Sequence, residues 1–369
     1  MKRLAQIAAL VVVTLFMACG NKEGTPDTEP IYTPRYAKGF TIERDKQSGE
    51  KYLVVRNPWQ GAKNEVFYTK IDTLSPPKRI IAMSSSHAAM LEAVGCSKRI
   101  VGLSGCNYIY SQTIRQAINA GKICEVGYDT SLDLERIVLL EPDAILLYGV
   151  AGKAEKITNK LDEIGIPYIY IGDYLESNPL GRAEWVVALA ALCGVEAEGQ
   201  AFFAEVEERY NALCNQVQNT EYRPRVMLNL PYRDTWFMPS HNSYMVRLIE
   251  DAGGEYILRR ETRDKRRENS SMPISLEEAL GYAMQADFWL NLGYLYSTAD
   301  LSSVAPHFTN VDAVRLGHLY NNTKRTNGYG GSDFWESGAI RPDLILEDLV
   351  KILHHEAQTE ELHYYKKLE

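Results

Sequence analysis

The chain has 369 residues, 45% of them hydrophobic, and a formal net charge of −8. That length can fill more than one ordinary core, and two domains suit it better than one. No run of Lys and Arg is long enough to track phosphates, since the basic cluster at 259–267 is interleaved with acids, so nucleic acid is excluded as a partner.

The N-terminus begins with Lys2 and Arg3, runs through apolar residues at 7–16 and reaches Met17, Ala18 and Cys19. This pattern resembles a bacterial lipoprotein signal: cleavage removes 1–18, and the thiol of Cys19 takes a diacylglyceryl group as the new N-terminus. The apolar run is too short to span a bilayer comfortably. The expected mature protein is extracytoplasmic and held to a bacterial membrane by the lipid on Cys19, in the periplasm if the cell is Gram-negative. Five cysteines follow, Cys96, Cys106, Cys124, Cys193 and Cys214, an odd number without a Cys-x-x-Cys pair, which argues against structural zinc. Cys193 and Cys214 read as buried apolar residues, and a Cys106–Cys124 disulfide stays open in an oxidising compartment. The seven histidines are scattered, so no metal site is expected.

Residues 19–35 are rich in Gly, Thr, Pro, Glu and Asp, the composition of a flexible tether, with 21–34 expected to be disordered. Alternating stretches at 39–43, 51–56 and 66–71 predict a small β-meander within 36–75. A first α/β lobe over 76–180 then alternates strand and helix: strand 79–84, helix 87–95, a strand from 100, helix 132–140, strand 143–148, helix 153–164 and strand 167–172. Such alternation implies a parallel sheet. Linking helices occupy 181–219. In the second of them, 197–217, the residues Phe202, Phe203, Val206, Tyr210, Leu213 and Val217 recur at helical spacing, and a helix of that length spans about 32 Å, enough to strut two lobes.

The pattern restarts in 220–369 with a strand at 225–230 and a helix at 243–252, and ends in a helix at 342–354 opened by Pro342. Ser86-His87 is echoed by Ser240-His241, and Leu134-Glu135 by Leu276-Glu277. The predicted architecture is α/β, two doubly wound lobes joined by one long helix, with the N-terminal meander added.

Catalytic signatures are missing. Residues 102–106 end in Cys where a nucleophile elbow needs Gly, and His354-His355-Glu356, read as exposed tail, lacks the second histidine one turn on. Ser85 with His87 leaves an extracytoplasmic hydrolase as the alternative. The informative feature is aromatic residues where strands end: Tyr108, Tyr110, Tyr128, Tyr148, Tyr294 and Tyr296, joined by Trp236, Phe237, Met238, Phe334 and Trp335. Carboxyl ends of parallel strands face the ligand crevice, so these residues and Ser85 predict an aromatic cleft for a large, flat or chelate-like ligand.

Several segments together carry a family resemblance: PKRIIAMSSSHAAMLEAVGCSKRIVGLS, DLERIVLLEPDAILLY, GIPYIYIG, RPRVML and SLEEALGYAMQADFWLNL. From 77 to 354 the chain is similar to the substrate-binding proteins of ABC importers for iron–siderophore, haem and cobalamin, the type III or helical-backbone class. The resemblance implies a shallow interlobe cleft and delivery of a small-molecule metal chelate to an importer permease, without catalysis or a cofactor. It also implies that Glu135 and Glu277, one per lobe, meet arginines of the permease. GSDFWESGAIRP resembles a loop that in cobalamin-binding members carries an Asp followed by aromatics, here Asp333, Phe334 and Trp335. With Arg341 the one cation among the cleft candidates, the balance favours a bulky, weakly charged chelate. The expected ligand is an iron–siderophore or cobalamin, with a haem-binding member as the alternative. The meander lies outside the family's usual pattern.

Overall fold

The computed structural model describes residues 26–128, 131–149, 155–258, 271–293, 295–354 and 361–369. It opens with a four-stranded antiparallel meander, β1 (Thr28–Tyr32), β2 (Phe40–Asp45), β3 (Lys51–Arg56) and β4 (Val66–Ile71), paired in that order. Residues 26–35 therefore belong to the fold, contrary to the expected tether. Pro30 is compatible with β1 because an edge strand does not need every N–H. Thr28 hydrogen-bonds Glu43, and Tyr32 reaches Glu184 in the linking region. The signal, Cys19 and the rest of 1–25 lie outside the described residues.

The first lobe contains β5 (Ile80–Ala82), α1 (Ser85–Ala93), β6 (Ile100–Leu103), α2 (Gln112–Asn119) and β7 (Cys124–Glu125). A two-stranded hairpin of β8 (Gly127–Tyr128) and β9 (Ser131–Leu132) follows, then α3 (Leu134–Leu139), β10 (Ala144–Leu147), α4 (Glu155–Ile164) and β11 (Tyr168–Tyr170). The sheet order is β11-β10-β5-β6-β7, all parallel. Its central strands are apolar throughout and fully buried, as a sheet covered on both faces requires.

Two helices link the lobes, α5 (Pro179–Leu192) and the strut α6 (Glu196–Val217). Thirteen of the fourteen residues of α5 are buried, because it packs against α1, α6 and the meander at once. Gly199 of α6 permits that approach, since a Cβ there would collide with Ala190 of α5. The strut joins the two halves. Its Glu207 holds Arg35 and Tyr36 of the meander side, while Tyr210 donates to Asp251 of the second lobe at 2.8 Å.

The meander is anchored by two buried carboxylates. Glu184 of α5 accepts from the hydroxyl of Tyr32 and from the amides of Arg35, Tyr36 and Ala37 at 2.8 to 2.9 Å. Glu176, whose pKa burial raises, accepts from the amides of Lys38 and Gly39 and from the indole of Trp185. Phe40 then packs on Trp185 at 4.8 Å.

The second lobe comprises β12 (Arg225–Leu228), β13 (Pro231–Tyr232), β14 (Thr235–Met238), α7 (Tyr244–Asp251), β15 (Glu255–Tyr256), β16 (Met272–Ser275), α8 (Leu276–Ala283) and β17 (Phe288–Leu290). It continues with α9 (Thr298–Val304), α10 (Asp312–Arg315), β18 (Leu319–Asn321), α11 (Pro342–Leu353) and β19 (Lys366–Lys367). Its main sheet runs β15-β12-β17-β18-β19 and is parallel except for the last strand; β13, β14 and β16 form a separate antiparallel sheet. The C-terminus is not a loose tail. Asp348 accepts the amides of His363, Tyr364 and Tyr365, both tyrosines are fully buried, and His354 pairs with the carbonyl of Ala252 at 3.0 Å. His355 and Glu356 lie outside the described residues.

Candidate functional site: the interlobe cleft

In each parallel sheet the chain leaves a central strand in both directions, and the crevice at that reversal is where an open α/β sheet holds its ligand. In the first lobe the reversal falls between β5 and β10, so the crevice is bounded by Ser84 and Ser85 on one strand end and by Tyr148 on the other. In the second lobe it falls between β12 and β17, which end at Asn229 and Asn291.

Both asparagines have left-handed backbones, φ 66° and 62°, a conformation that Asn tolerates better than most residues. Asn229 donates to the carbonyl of Phe237 and its own carbonyl accepts the indole of Trp289, while Asn291 accepts the hydroxyl of the buried Tyr365 at 2.9 Å. Sequence reasoning missed them. The signal was present as the repeated Leu-Asn-Leu that follows each strand, at 228–230 and 290–292.

Behind Ser85 lies a charged cluster. His87 is fully buried, its Nε2 stands 3.6 Å from Asp173 Oδ1, and Arg182 Nε is 3.4 Å from Asp173 Oδ2. Burial opposes ionisation of Asp173, yet His87, Arg182 and Ser86 together hold its carboxyl below the usual range. Neither ring nitrogen of His87 makes a hydrogen bond among the described residues, and the charged group its Nε2 faces is Asp173. Arg182 stacks over the ring of Tyr244 at 5.2 Å, so the cluster reaches from the first lobe to α7 of the second.

The aromatic candidates separate into two groups. Tyr108, Tyr128, Phe237 and Trp335 are each 43 to 50% exposed, and Tyr110 and Tyr148 are half-buried, Tyr148 at the end of β10. Tyr108 and Tyr128 both lie beside Gly105. By contrast, Trp236, Met238 and Phe334 are core. Trp236 and Met238 are fully buried on β14, where Trp236 packs on Trp289 and Phe308 and its indole is spent on the carbonyl of Leu228. Phe334 is wedged between Trp335, Tyr364 and Tyr365. Strand alternation explains it: Phe237 points out between two inward neighbours. Tyr294 lies outside the described residues.

The polar candidates of the last loop are committed elsewhere. Asp333 is buried and bound to Arg325 at 2.6 Å. Arg341 grips buried Asp343 with two bonds at 2.9 and 2.7 Å and faces Phe202 of the strut, so it is a joint between α6 and α11 rather than a cleft cation. Glu135 and Glu277 are both exposed in the first turns of α3 and α8, helices capped alike by Asp133 and Ser275. Cys106 and Cys124 are free thiols, as are the other three described cysteines.

A cavity of about 820 Å³ lies apart from the strand ends at the sheet reversals, between the meander, residues 172–178 and the start of α7. Its arginines are already matched, Arg35 by Glu207, Arg56 by Glu43 and Arg247 by Asp251, and Lys38 and His241 also line it. Among the described residues no group of three or more His, Cys, Asp and Glu could hold a metal ion.

A family model described as periplasmic binding protein matches residues 80–326, which is more than half of the chain. The chain belongs to the periplasmic binding protein family. Within it, an uncharacterized lipoprotein of Methanocaldococcus jannaschii is 30% identical over 79% of this chain and 69% of its own length. The periplasmic binding protein fold is shared with a periplasmic haem-binding protein from Pseudomonas aeruginosa, at TM-score 0.60 and 18% identity over 79% of this chain and 98% of that one. It is shared also with the vitamin B12-binding protein BtuF of Vibrio cholerae, at TM-score 0.54 and 16% identity over 77% and 99%. An Fe3+-hydroxamate transport protein from Saccharomonospora viridis matches at 0.57 and 17% over 81% and 98%. These periplasmic binding proteins are solute-binding proteins rather than enzymes. The meander lies before the matched segment, and among the described residues no helix is long and apolar enough to cross a membrane.

Proposed function

We propose that this periplasmic binding protein is the substrate-binding lipoprotein of an ABC importer, capturing a bulky metal chelate in the interlobe cleft and delivering it to a membrane permease. The observation that carries the reading is the set of half-exposed aromatics, Tyr108 and Tyr128 on one lobe and Phe237 and Trp335 on the other, with the loop of Trp335 packed on the segment of Tyr108. Aromatic faces bind large planar or apolar surfaces with little loss of side-chain freedom.

Charge narrows the ligand. With Arg341 withdrawn into the α6–α11 joint, the arginines that touch the Tyr108–Tyr110 segment among the described residues are Arg325, held by Asp333, and Arg115, which donates to the carbonyls of Asn107 and Ile109. A triscatecholate iron complex would need cations that are not already spent. A neutral or weakly charged chelate, such as cobalamin or a ferric hydroxamate, fits better, and haem is the next candidate. Glu135 and Glu277 present one exposed carboxylate per lobe for docking to the permease. Cys19 supplies the lipid that keeps the protein at the membrane. Native mass spectrometry of the protein purified from membranes tests the reading: a retained metal chelate supports it, and retention of a metabolite of unrelated chemistry counts against it.

A further inference from the structure

The loop between β18 and α11 does more than display Trp335. Its Glu336, 2% exposed, accepts the amides of Tyr110 and Ser111 of the first lobe at 2.7 and 2.8 Å. Asn327 donates to the carbonyls of Asn107 and Ile109 at 2.8 and 2.9 Å, while its own Oδ1 is held by the amides of Tyr329 and Gly331. Gly331 lies so close to the first lobe that a Cβ would collide with the carbonyl of Tyr108. Arg325 stacks over the ring of Tyr110 at 5.0 Å. Every one of these contacts with the first lobe falls within residues 107–111, the segment that carries Tyr108 and Tyr110 and supplies Ser111 as the N-cap of α2.

We propose that Asn327 and Glu336 are positioning residues of an interlobe clasp, which fixes the aperture at one end of the cleft and sets Tyr108 opposite Trp335. The clasp rests on the binding reading only in what the aperture is for. The two backbone amides pointing at one carboxylate lose that acceptor if the lobes part at this edge, whereas the two carbonyls lose Asn327 and keep Arg115 of their own lobe.

Glu336 also gives the clasp a pH signature. Burial raises its pKa to about 7, against the amide bonds of Tyr110 and Ser111 that lower it, with Asp333 and Glu92 adding to the rise. Glu92 faces it through the hydroxyl of Ser111, Arg325 through Asp333, and Arg115 lies against the same segment; Tyr364 bonds Ser337, and His363 neighbours Arg325 and Asp333. An unclasped Glu336 in water would return toward its ordinary value of 4.5. Between 4.5 and about 7 the clasped state therefore binds more protons than the open one, and lowering the pH across that window tightens the clasp. Above about 7 the gain is gone, because the buried carboxylate is charged in the clasped state too.

Hydrogen exchange of the ligand-free full chain tests this. Asn327→Ala and Glu336→Ala are each expected to speed exchange at Tyr110 and Ser111 at least tenfold after correction for intrinsic rates, leaving the β12 amides unchanged. Unchanged exchange at Tyr110 and Ser111 in both variants overturns the clasp. So does a loss of protection spread equally into β12, which marks a general role in the fold. If Glu336→Ala does not fold, Asn327→Ala alone decides. In the wild type, protection at the two amides should rise as pH falls from 7 to 5, and in Glu336→Gln it should not; a gradient kept by the variant removes Glu336 as its source. Because no ligand is present, these outcomes are separable from titrations with cyanocobalamin and haemin, whose failure would count against the binding reading instead.

Discussion

Replacing Glu184 by Ala should detach the meander while leaving both lobes folded. The side chain is fully buried and satisfies four donors of one short segment, the hydroxyl of Tyr32 and the amides of Arg35, Tyr36 and Ala37. Arg35 is exposed enough for its amide to find water after the substitution, and the hydroxyl of Tyr32 can turn. The amides of Tyr36 and Ala37 are less exposed, and at about 1–3 kcal/mol for each orphaned buried donor the expected loss is roughly 2–6 kcal/mol. Glu184→Gln keeps the shape but aims an amide nitrogen at one pair of donors, so about half of that loss is expected. Native-state hydrogen exchange reads the effect locally: amides of β2 and β3 should lose protection by this amount, while β10 and β12 keep theirs. A loss below about 1 kcal/mol would refute the anchoring argument, and equal loss in β10 would show that the meander is not a separable unit.

Two neighbours in one loop should behave oppositely. Phe334→Ala empties a fully buried site and should cost about 3–5 kcal/mol of stability by denaturant unfolding, whereas Trp335→Ala should cost under about 1 kcal/mol yet weaken chelate binding at least tenfold by calorimetry. The double variant Glu135→Ala/Glu277→Ala should abolish uptake in cells while leaving affinity for the chelate unchanged; lost affinity would move both residues into the cleft.

The fold was readable in the sequence wherever one segment decides its own structure. Strut, strands and helices of both lobes appear within a few residues of their expected ends, the strut at Glu196–Val217, because apolar periodicity and Gly or Pro boundaries are local signals. The failures are tertiary. Thr28–Tyr32 looked like tether because its order depends on Glu43 and Glu184, far along the chain. His354 looked like exposed tail because its partner, the carbonyl of Ala252, lies about a hundred residues back in the chain. In the site, aromatic composition could not separate Phe237, which faces out, from Trp236 and Met238, which face in, since that requires the strand's register. Arg341 looked like a cleft cation because Asp343, two residues on, reads equally well as a solvated helix start; only its complete burial shows where the pair points.

The claim at the centre of this account is that the cleft binds a bulky, weakly charged metal chelate. Calorimetric titration of the mature chain with cyanocobalamin, a ferric hydroxamate, haemin and a ferric triscatecholate tests it most directly. The account predicts saturable one-to-one binding of at least one of the first three, weakened at least tenfold by Trp335→Ala, and much weaker binding of the triscatecholate. Tight binding of the triscatecholate alone, or no binding of any of the four by folded protein, would contradict it.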